Sequence, residues 1–308
     1  MSRLTTSQVL TLVNALATYS VFPLSIYRYG RILTGKNNID PQVGYNPQLR
    51  DGEFAYNLSE FSLPILEKYF RVEYRGIENI KKGRALYVGN HNGGLQPVDS
   101  VITAGKMIKV LGRDVPVHAL MHDYIFKEPS FINLVEKIGG LKASHKAAEK
   151  AFDMDSSVLV YPGGDIDTFK PWGKRDEIIT GKRKGFIRLV LKNRIPLIPV
   201  ASCGAHEVWY VLSSGTKLAA ALKLKKILRT ETFPVVAALP WGITSGFFPY
   251  IPAPSKIVIE FSKPIYWNQY FDLWEDDDVV EKCHARFSTT MNNLIQKLHS
   301  ERKYPVIG

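Results

Sequence analysis

Three short apolar runs, ALYVGN (85–90), VLVYPG (158–163) and IPLIPVAS (195–202), punctuate the middle of the 308-residue chain. They are rich in Val, Ile and Leu and bounded by turn residues, the pattern of strands buried on both faces. Helix-like segments lie between them, among them 144–152 and 185–193. This alternation predicts an α/β fold with a central, mostly parallel sheet flanked by helices. Ligands of such sheets gather at the carboxyl ends of the strands, so the residues just past each run matter most.

Those residues are unusual. The first run empties into NHNGGLQPVDS (90–100), the second into PGGDIDTF (162–169), the third into CGAHE (203–207), and a weaker fourth, VPVHALMHD, into His122 and Asp123. If the strands are parallel, these ends converge on one cleft. Glycines there let the backbone approach a ligand and present N–H donors. His91 followed by Asp99 is the sharpest pair. A neutral imidazole draws a proton from an alcohol, and a carboxylate behind it fixes the tautomer and stabilises the imidazolium. On spacing alone, a structural hydrogen-bonding histidine is the competing reading. His122 and His206 are open to lining the cleft, with a satisfied structural histidine as the favoured reading, and Cys203 reads as packing.

Charge narrows the partners. Forty Lys and Arg against 29 Asp and Glu leave +11, an excess that meets phosphate in nucleic acid, an anionic membrane or a phosphorylated substrate. It is concentrated in 169–194, where nine basic residues (Lys170, Lys174, Arg175, Lys182, Arg183, Lys184, Arg188, Lys192, Arg194) face two acidic ones. A solvated helix face is the alternative there. No nucleic-acid module is recognisable. Two cysteines with no CxxC pair support neither a disulfide framework nor a cysteine zinc site, and a reducing compartment is the simpler reading.

The flanks point to lipid. Residues 4–27 carry no charged side chain, but polar residues and Pro23 interrupt the run. An interfacial helix with Arg28 and Arg31 at the headgroups fits better than a spanning one, with a buried amphipathic helix as the alternative. Residues 233–254 are uncharged and hold five prolines, which predicts no regular helix or central strand. Such a run covers a core, lines an apolar channel or dips into lipid. Residues 276–300 read as a surface helix. The expected organisation is an N-terminal membrane-associating helical segment (1–60), an α/β domain (61–268) and a C-terminal helical extension (269–308).

NHNGGLQPVDS, VYPGGDIDTFKPW and GKRKGFIRLVLKNRIPLIPV, in that order and spacing, resemble the phospholipid and glycerol acyltransferase superfamily over roughly residues 74–267. It includes the lysophosphatidic acid and glycerol-3-phosphate acyltransferases and, more distantly, the diacylglycerol acyltransferases. The resemblance implies a glycerol-3-phosphate acyltransferase-like fold and transfer of a fatty acyl group to a glycerolipid hydroxyl. The donor is acyl-CoA or another acyl thioester, a co-substrate, so no cofactor or metal is implied. His91 takes the place of the general base and Asp99 that of the orienting carboxylate. Asn90, Gly93, Gly94, Pro162, Gly163, Gly164, Asp165, Lys170, Arg175, Arg183 and Lys184 take substrate-binding places. The expected setting is an anionic membrane surface, on its cytoplasmic face.

Two departures shape the expectation. The common His–x4–Asp spacing is stretched, with Gln96 at the strict position, so Asp99 is the carboxylate on offer. Pro162-Gly163-Gly164 replaces Pro-Glu-Gly and no Arg follows within the motif, which resembles the neutral-lipid acyltransferases. A lipid esterase or hydrolase is the nearest rival enzyme, but no Gly-x-Ser-x-Gly elbow occurs. A non-catalytic membrane-surface lipid binder is the rival from outside enzymes.

Overall fold

A computed structural model describes residues 40–304, apart from 95, 124, 128, 228, 229 and 249. The uncharged stretch 4–27, expected as a membrane-associating helix, lies outside the described residues. In chain order the elements are α1 (Gly52–Tyr69), β1 (Glu73–Arg75), β2 (Ala85–Gly89), α2 (Val98–Leu111), β3 (Val117–Met121), α3 (Pro129–Lys137), β4 (Gly140–Lys142), α4 (His145–Phe152), β5 (Ser157–Val160), α5 (Gly164–Thr168), α6 (Gly185–Asn193), β6 (Leu197–Cys203), β7 (Tyr210–Ser213), α7 (Thr216–Ala221), α8 (Leu224–Ile227), β8 (Val235–Ala238), β9 (Gly242–Ser245), β10 (Val258–Phe261) and α9 (Asp277–Ser300).

Seven strands form the central sheet in the order β1-β10-β6-β2-β5-β3-β4. Every neighbouring pair is parallel except β10 with β6, so the expected mostly parallel sheet is present. β2 and β6 are buried along their whole length. Successive side chains of a strand point to opposite faces, and the two strands feed two cores accordingly. Tyr87, Ile198 and Val200 join Leu63 of α1 and Ile102 of α2 on one face. Leu86, Val88, Leu197 and Ala201 join Ala147, Ile187, Val190 and Phe287 of α4, α6 and α9 on the other.

Local signals set the helix starts. The Asp51 carboxylate accepts the N–H of Phe54 at 2.9 Å and Ser144 Oγ that of Ala147 at 3.2 Å, satisfying donors that a helix leaves unpaired. α1 runs across position 60, so the boundary expected at 60/61 falls inside a packed helix. α9 is not only a surface helix: Val280, Cys283, Phe287, Met291, Ile295 and Leu298, spaced three and four apart, are buried against the sheet.

The proline-rich run holds a strand after all. β8 fits between Pro234 and Pro240, where four residues are free to donate, and it is the centre of a small antiparallel sheet in the order β7-β8-β9. Among the described residues no helix is long and apolar enough to cross a membrane.

Candidate active site

The three predicted strands stand side by side in the order β6-β2-β5. The chain leaves β2 toward β3 and β4 on one side and returns through β5 to β6 on the other. That reversal leaves the carboxyl end of β2 at a crevice between diverging connections. Asn90, the first residue past β2, does not face the crevice as a substrate ligand. Its amide donates to Ser202 O at 2.8 Å and accepts Ser202 N–H at 2.8 Å, and it is fully buried. Both ends of that amide are spent stitching β2 to β6.

His91 follows, half-buried, its ring tilted on Tyr161 with centroids 4.9 Å apart. Asp99 reaches it through an intermediary. Ser100 Oγ lies 3.5 Å from His91 Nδ1 and donates to Asp99 Oδ1 at 3.2 Å. Asp99 sits in the first turn of α2, where the helix dipole favours a carboxylate. It accepts the N–H of Ser100 at 2.7 Å and of Asn92 at 3.2 Å. The extra residues between His91 and Asp99 thus form a loop that folds the acid back toward the imidazole, with a hydroxyl between them.

Electrostatics separates the two groups. Burial, and then the nearby Lys170 charge, push the His91 imidazole down to about 3, so it is neutral at physiological pH. Burial pushes the Asp99 carboxyl up to about 7, against the hydrogen bonds from Ser100. Desolvation also raises the Tyr161 phenol, with Asp99 adding to it. The result is an unprotonated base beside an acid poised to ionise near neutrality.

The Pro-Gly-Gly segment reaches His91 through a residue that sequence reasoning passed over. Asp167 of α5 accepts the His91 backbone N–H at 2.5 Å, the Ile179 N–H at 2.9 Å and Lys170 Nζ at 2.8 Å. Lys170 also donates to Glu177 O at 2.9 Å, and both side chains of this ion pair are fully buried. The only trace of it in the sequence is an Asp-x-x-Lys step, one helical turn, that closes the motif. Lys170, expected at a ligand phosphate, is placed here as the buried partner of Asp167. Gly163 is required by packing, since a Cβ there would overlap Asp167 and the Ile179 carbonyl.

Arg183 lies over this motif, donating to Gly163 O at 2.5 Å and to Asp165 Oδ1 at 2.8 Å. Asp165 in turn accepts Thr230 Oγ1 at 3.0 Å and Glu231 N–H at 2.6 Å. The Gly164 N–H goes to Tyr161 O at 3.2 Å, and Arg183 also reaches Pro162 O at 3.4 Å. Asp165, Gly164 and Arg183, expected as substrate ligands, are instead bonded to one another's segments and to the 230–231 loop.

The rest of the basic cluster is neutralised from elsewhere. Lys184 pairs with Glu281, Arg188 with Asp277, Lys192 with Glu149 and Arg194 with Asp272. Arg175 lies over the Trp172 ring and within 3.9 Å of Glu207. An excess that is one-sided along the chain is balanced in space by acids of α4, α9 and the residues before α9. Among the described residues no hydrogen bond or ion pair joins Lys184 or Arg175 to His91. Lys174 and Lys182 are exposed, and no ion pair forms to either among the described residues.

On the other side of His91, Gly93 and Gly94 both have positive φ, +77° and +63°. A Cβ on Gly94 would overlap the Trp209 ring, which is buried and stacks on Tyr250 with centroids 4.7 Å apart. The Tyr250 hydroxyl donates to Gly93 O. The proline-rich run is thereby laid against the His91 loop. His206 is buried, and burial, then the Lys170 charge, push it down to about 3 against a hydrogen bond with the Lys170 backbone. His122 is exposed beyond β3. Cys203 is buried, its thiol pushed up to about 11 chiefly by desolvation. Among the described residues no group of His, Cys, Asp and Glu is arranged to hold a metal ion.

Comparison with known proteins adds the following. The family model for diacylglycerol acyltransferase matches residues 57–306. An uncharacterised protein of Mycobacterium tuberculosis is 30% identical over 80% of this chain and 65% of that protein. Diacylglycerol O-acyltransferase 2 of Dictyostelium discoideum is 27% identical over 59% of this chain and 55% of its own length. The match spans 64–65% of the mycobacterial relatives, a little less than two thirds. The crystal structure of the 1-acyl-sn-glycerophosphate acyltransferase from Thermotoga maritima shares 16% identity, covering 92% of this chain and 98% of that one at a TM-score of 0.39, a likeness too loose to argue from.

Proposed function

The chain belongs to the diacylglycerol acyltransferase family, and on that premise we propose that it transfers a fatty acyl group from acyl-CoA to the free hydroxyl of a neutral glycerolipid. The observation that carries the reading is the neutral, half-buried His91 at the end of β2, with Asp99 relayed to it through Ser100. Ser100 engages Nδ1, and among the described residues no bond forms to Nε2, which is left for the acceptor.

His91 Nε2 takes the proton of the acceptor hydroxyl as its oxygen bonds to the thioester carbonyl carbon. The tetrahedral intermediate collapses, the C–S bond breaks, and the departing CoA thiolate regains that proton from the imidazolium. Asp99, ionised, stabilises the imidazolium through the Ser100 hydroxyl. The hydroxyl at His91, that of Ser100, lies at Nδ1 and donates to Asp99, away from the Nε2 that takes the acceptor proton, so the acceptor hydroxyl is the nucleophile, transfer is direct, and it needs no cofactor. A neutral acceptor fits because Lys170 and Arg183, the cations nearest the motif, are already bound to Asp167 and Asp165. Exposed Lys174 and Lys182 are the cations left for CoA phosphates. The enzyme works at a membrane, where its acceptor lies, from the cytoplasmic side, where acyl-CoA is.

The test is release of free CoA from acyl-CoA by the purified protein with diacylglycerol, monoacylglycerol, lysophosphatidic acid or glycerol-3-phosphate, and with no acceptor. Release that needs diacylglycerol or monoacylglycerol and vanishes in His91→Ala supports the proposal. Release without acceptor makes the protein a hydrolase, and none under any condition makes it a lipid binder.

A further inference from the structure

Exposed apolar side chains of the small sheet lie next to the end of α1. Register pairs Tyr210 with Ala237 and Ala237 with Ile243, so the three share one side, while Val236 and Ala238 turn to the buried side. Ile243 is 74% exposed and Tyr210 43%. At the sheet's end Leu239 and Ile251 are bridged, the Ile251 N–H donating to Leu239 O at 2.8 Å, and both are more than half exposed. The next residue, Pro252, accepts the Tyr69 hydroxyl at 2.8 Å. Tyr69 ends a stripe of α1 with Phe61 and Ile65, four residues apart and all exposed.

Charge on the sheet side of this face is mainly basic, while Glu60 and Glu67 of α1 are paired with Lys109 and Lys106 and Glu231 with Lys225. Residues 233–254 carry no charged side chain, and 208–230, which include α7 and α8, hold Lys217, Lys223, Lys225 and Lys226 with no Asp or Glu. A broad apolar surface edged by cations is matched by an anionic lipid interface, where hydrocarbon receives the apolar side chains and headgroup phosphates meet the lysines. We propose that the outer side of β7–β9 together with the Phe61–Tyr69 stripe seats on an anionic bilayer. The proposal deepens the acyltransferase reading, because Tyr250 and Trp209, which continue from this sheet, touch the Gly93–Gly94 loop beside His91.

The full chain is tested by co-sedimentation with vesicles of phosphatidylcholine, with and without phosphatidylserine. The double variant Ile243→Asp/Phe61→Asp is expected to weaken partition onto both vesicles by at least about tenfold. Lys223→Glu/Lys226→Glu is expected to weaken it only where phosphatidylserine is present. Both variants keep the wild-type melting temperature and the wild-type rate on detergent-dispersed substrate. Unchanged partition of both variants overturns the proposal. So does self-association that Ile243→Asp abolishes, which assigns the face to a second copy, and so does a lowered melting temperature with unchanged partition, which assigns it to the chain's own residues. A protein that binds vesicles through this face but transfers no acyl group leaves the docking surface standing and refutes only the acyltransferase reading.

Discussion

The carboxylate of Asp167 holds the backbone N–H of His91 at 2.5 Å across 76 positions of sequence. With its other oxygen it holds Lys170, in an ion pair that no solvent reaches. The general-base segment and the Pro-Gly-Gly segment are thus one unit. Asp167→Asn leaves a buried ammonium without its counter-charge, and the expected loss is about 3–5 kcal/mol of unfolding free energy, measured by urea denaturation. Asp167→Asn/Lys170→Met is expected to recover most of it, because the pair's cost lies in breaking one partner. No recovery in the double variant refutes the account.

Ser100→Ala removes the hydroxyl between His91 and Asp99 without touching either. The expected result is a drop in kcat of roughly 10–100-fold, the range of a lost orienting hydrogen bond in proton transfer, with KM and melting temperature close to wild type. Steady-state kinetics on acyl-CoA and diacylglycerol read it, and an unchanged kcat removes Ser100 from the relay.

The pH profile follows from the two shifts. His91 is held unprotonated down to about 3, so it does not set the acid limb of kcat/KM. That limb belongs to Asp99, which ionises near 7, and activity is expected to rise through pH 7. The same shift acts on stability in the opposite direction. Between the ordinary value of 3.8 and about 7 the folded chain keeps a proton on Asp99 that the unfolded chain releases. This group's contribution therefore falls as pH rises across that window. Asp99→Asn is expected to abolish the limb near pH 7 along with most activity, and to remove this group's share of the pH dependence of melting. A limb that survives the substitution assigns it elsewhere.

Gly94→Ala is expected to cost more than an ordinary surface substitution. The residue sits at φ +63°, and the added methyl meets the Trp209 ring. A loss of about 2–4 kcal/mol combines positive-φ strain with overpacking, and the loop carrying His91 moves with it. Thermal unfolding and residual activity measure the two effects, and wild-type values for both would show that the loop yields freely.

What was legible in the sequence was what periodicity and turn residues encode. β2, β5 and β6 lie where their short Val, Ile and Leu runs place them, and α6 begins and ends at the residues expected of it. The convergence of their ends follows from parallel pairing, which the alternation with helices implies. Partnership across the chain was not legible. Nothing in the order of residues 169–194 says that Glu149, Asp272, Asp277 and Glu281 will neutralise the cluster, so a face held in ion pairs looked like a phosphate site. The role of Asn90 was hidden in the same way, because its partner Ser202 lies 112 positions away. The four-residue β8 between two prolines fell below the length at which a proline-rich run betrays a strand. Asp167 escaped because its one local signal, Asp-x-x-Lys, is common to any solvated helix turn.

The last described turns of the chain close the sheet. Phe287, Met291, Ile295 and Leu298 of α9 cover β6, and Arg302, just beyond the helix, grips Glu207 with two nitrogens at 2.8 and 2.7 Å. The edge strand β1 likewise waits for β10, which is made nearly two hundred residues later. During synthesis on the ribosome, one flank of the most buried strand therefore stays uncovered until residue 302 has emerged. Until then the bare apolar side of β6 is a surface through which unfinished chains associate.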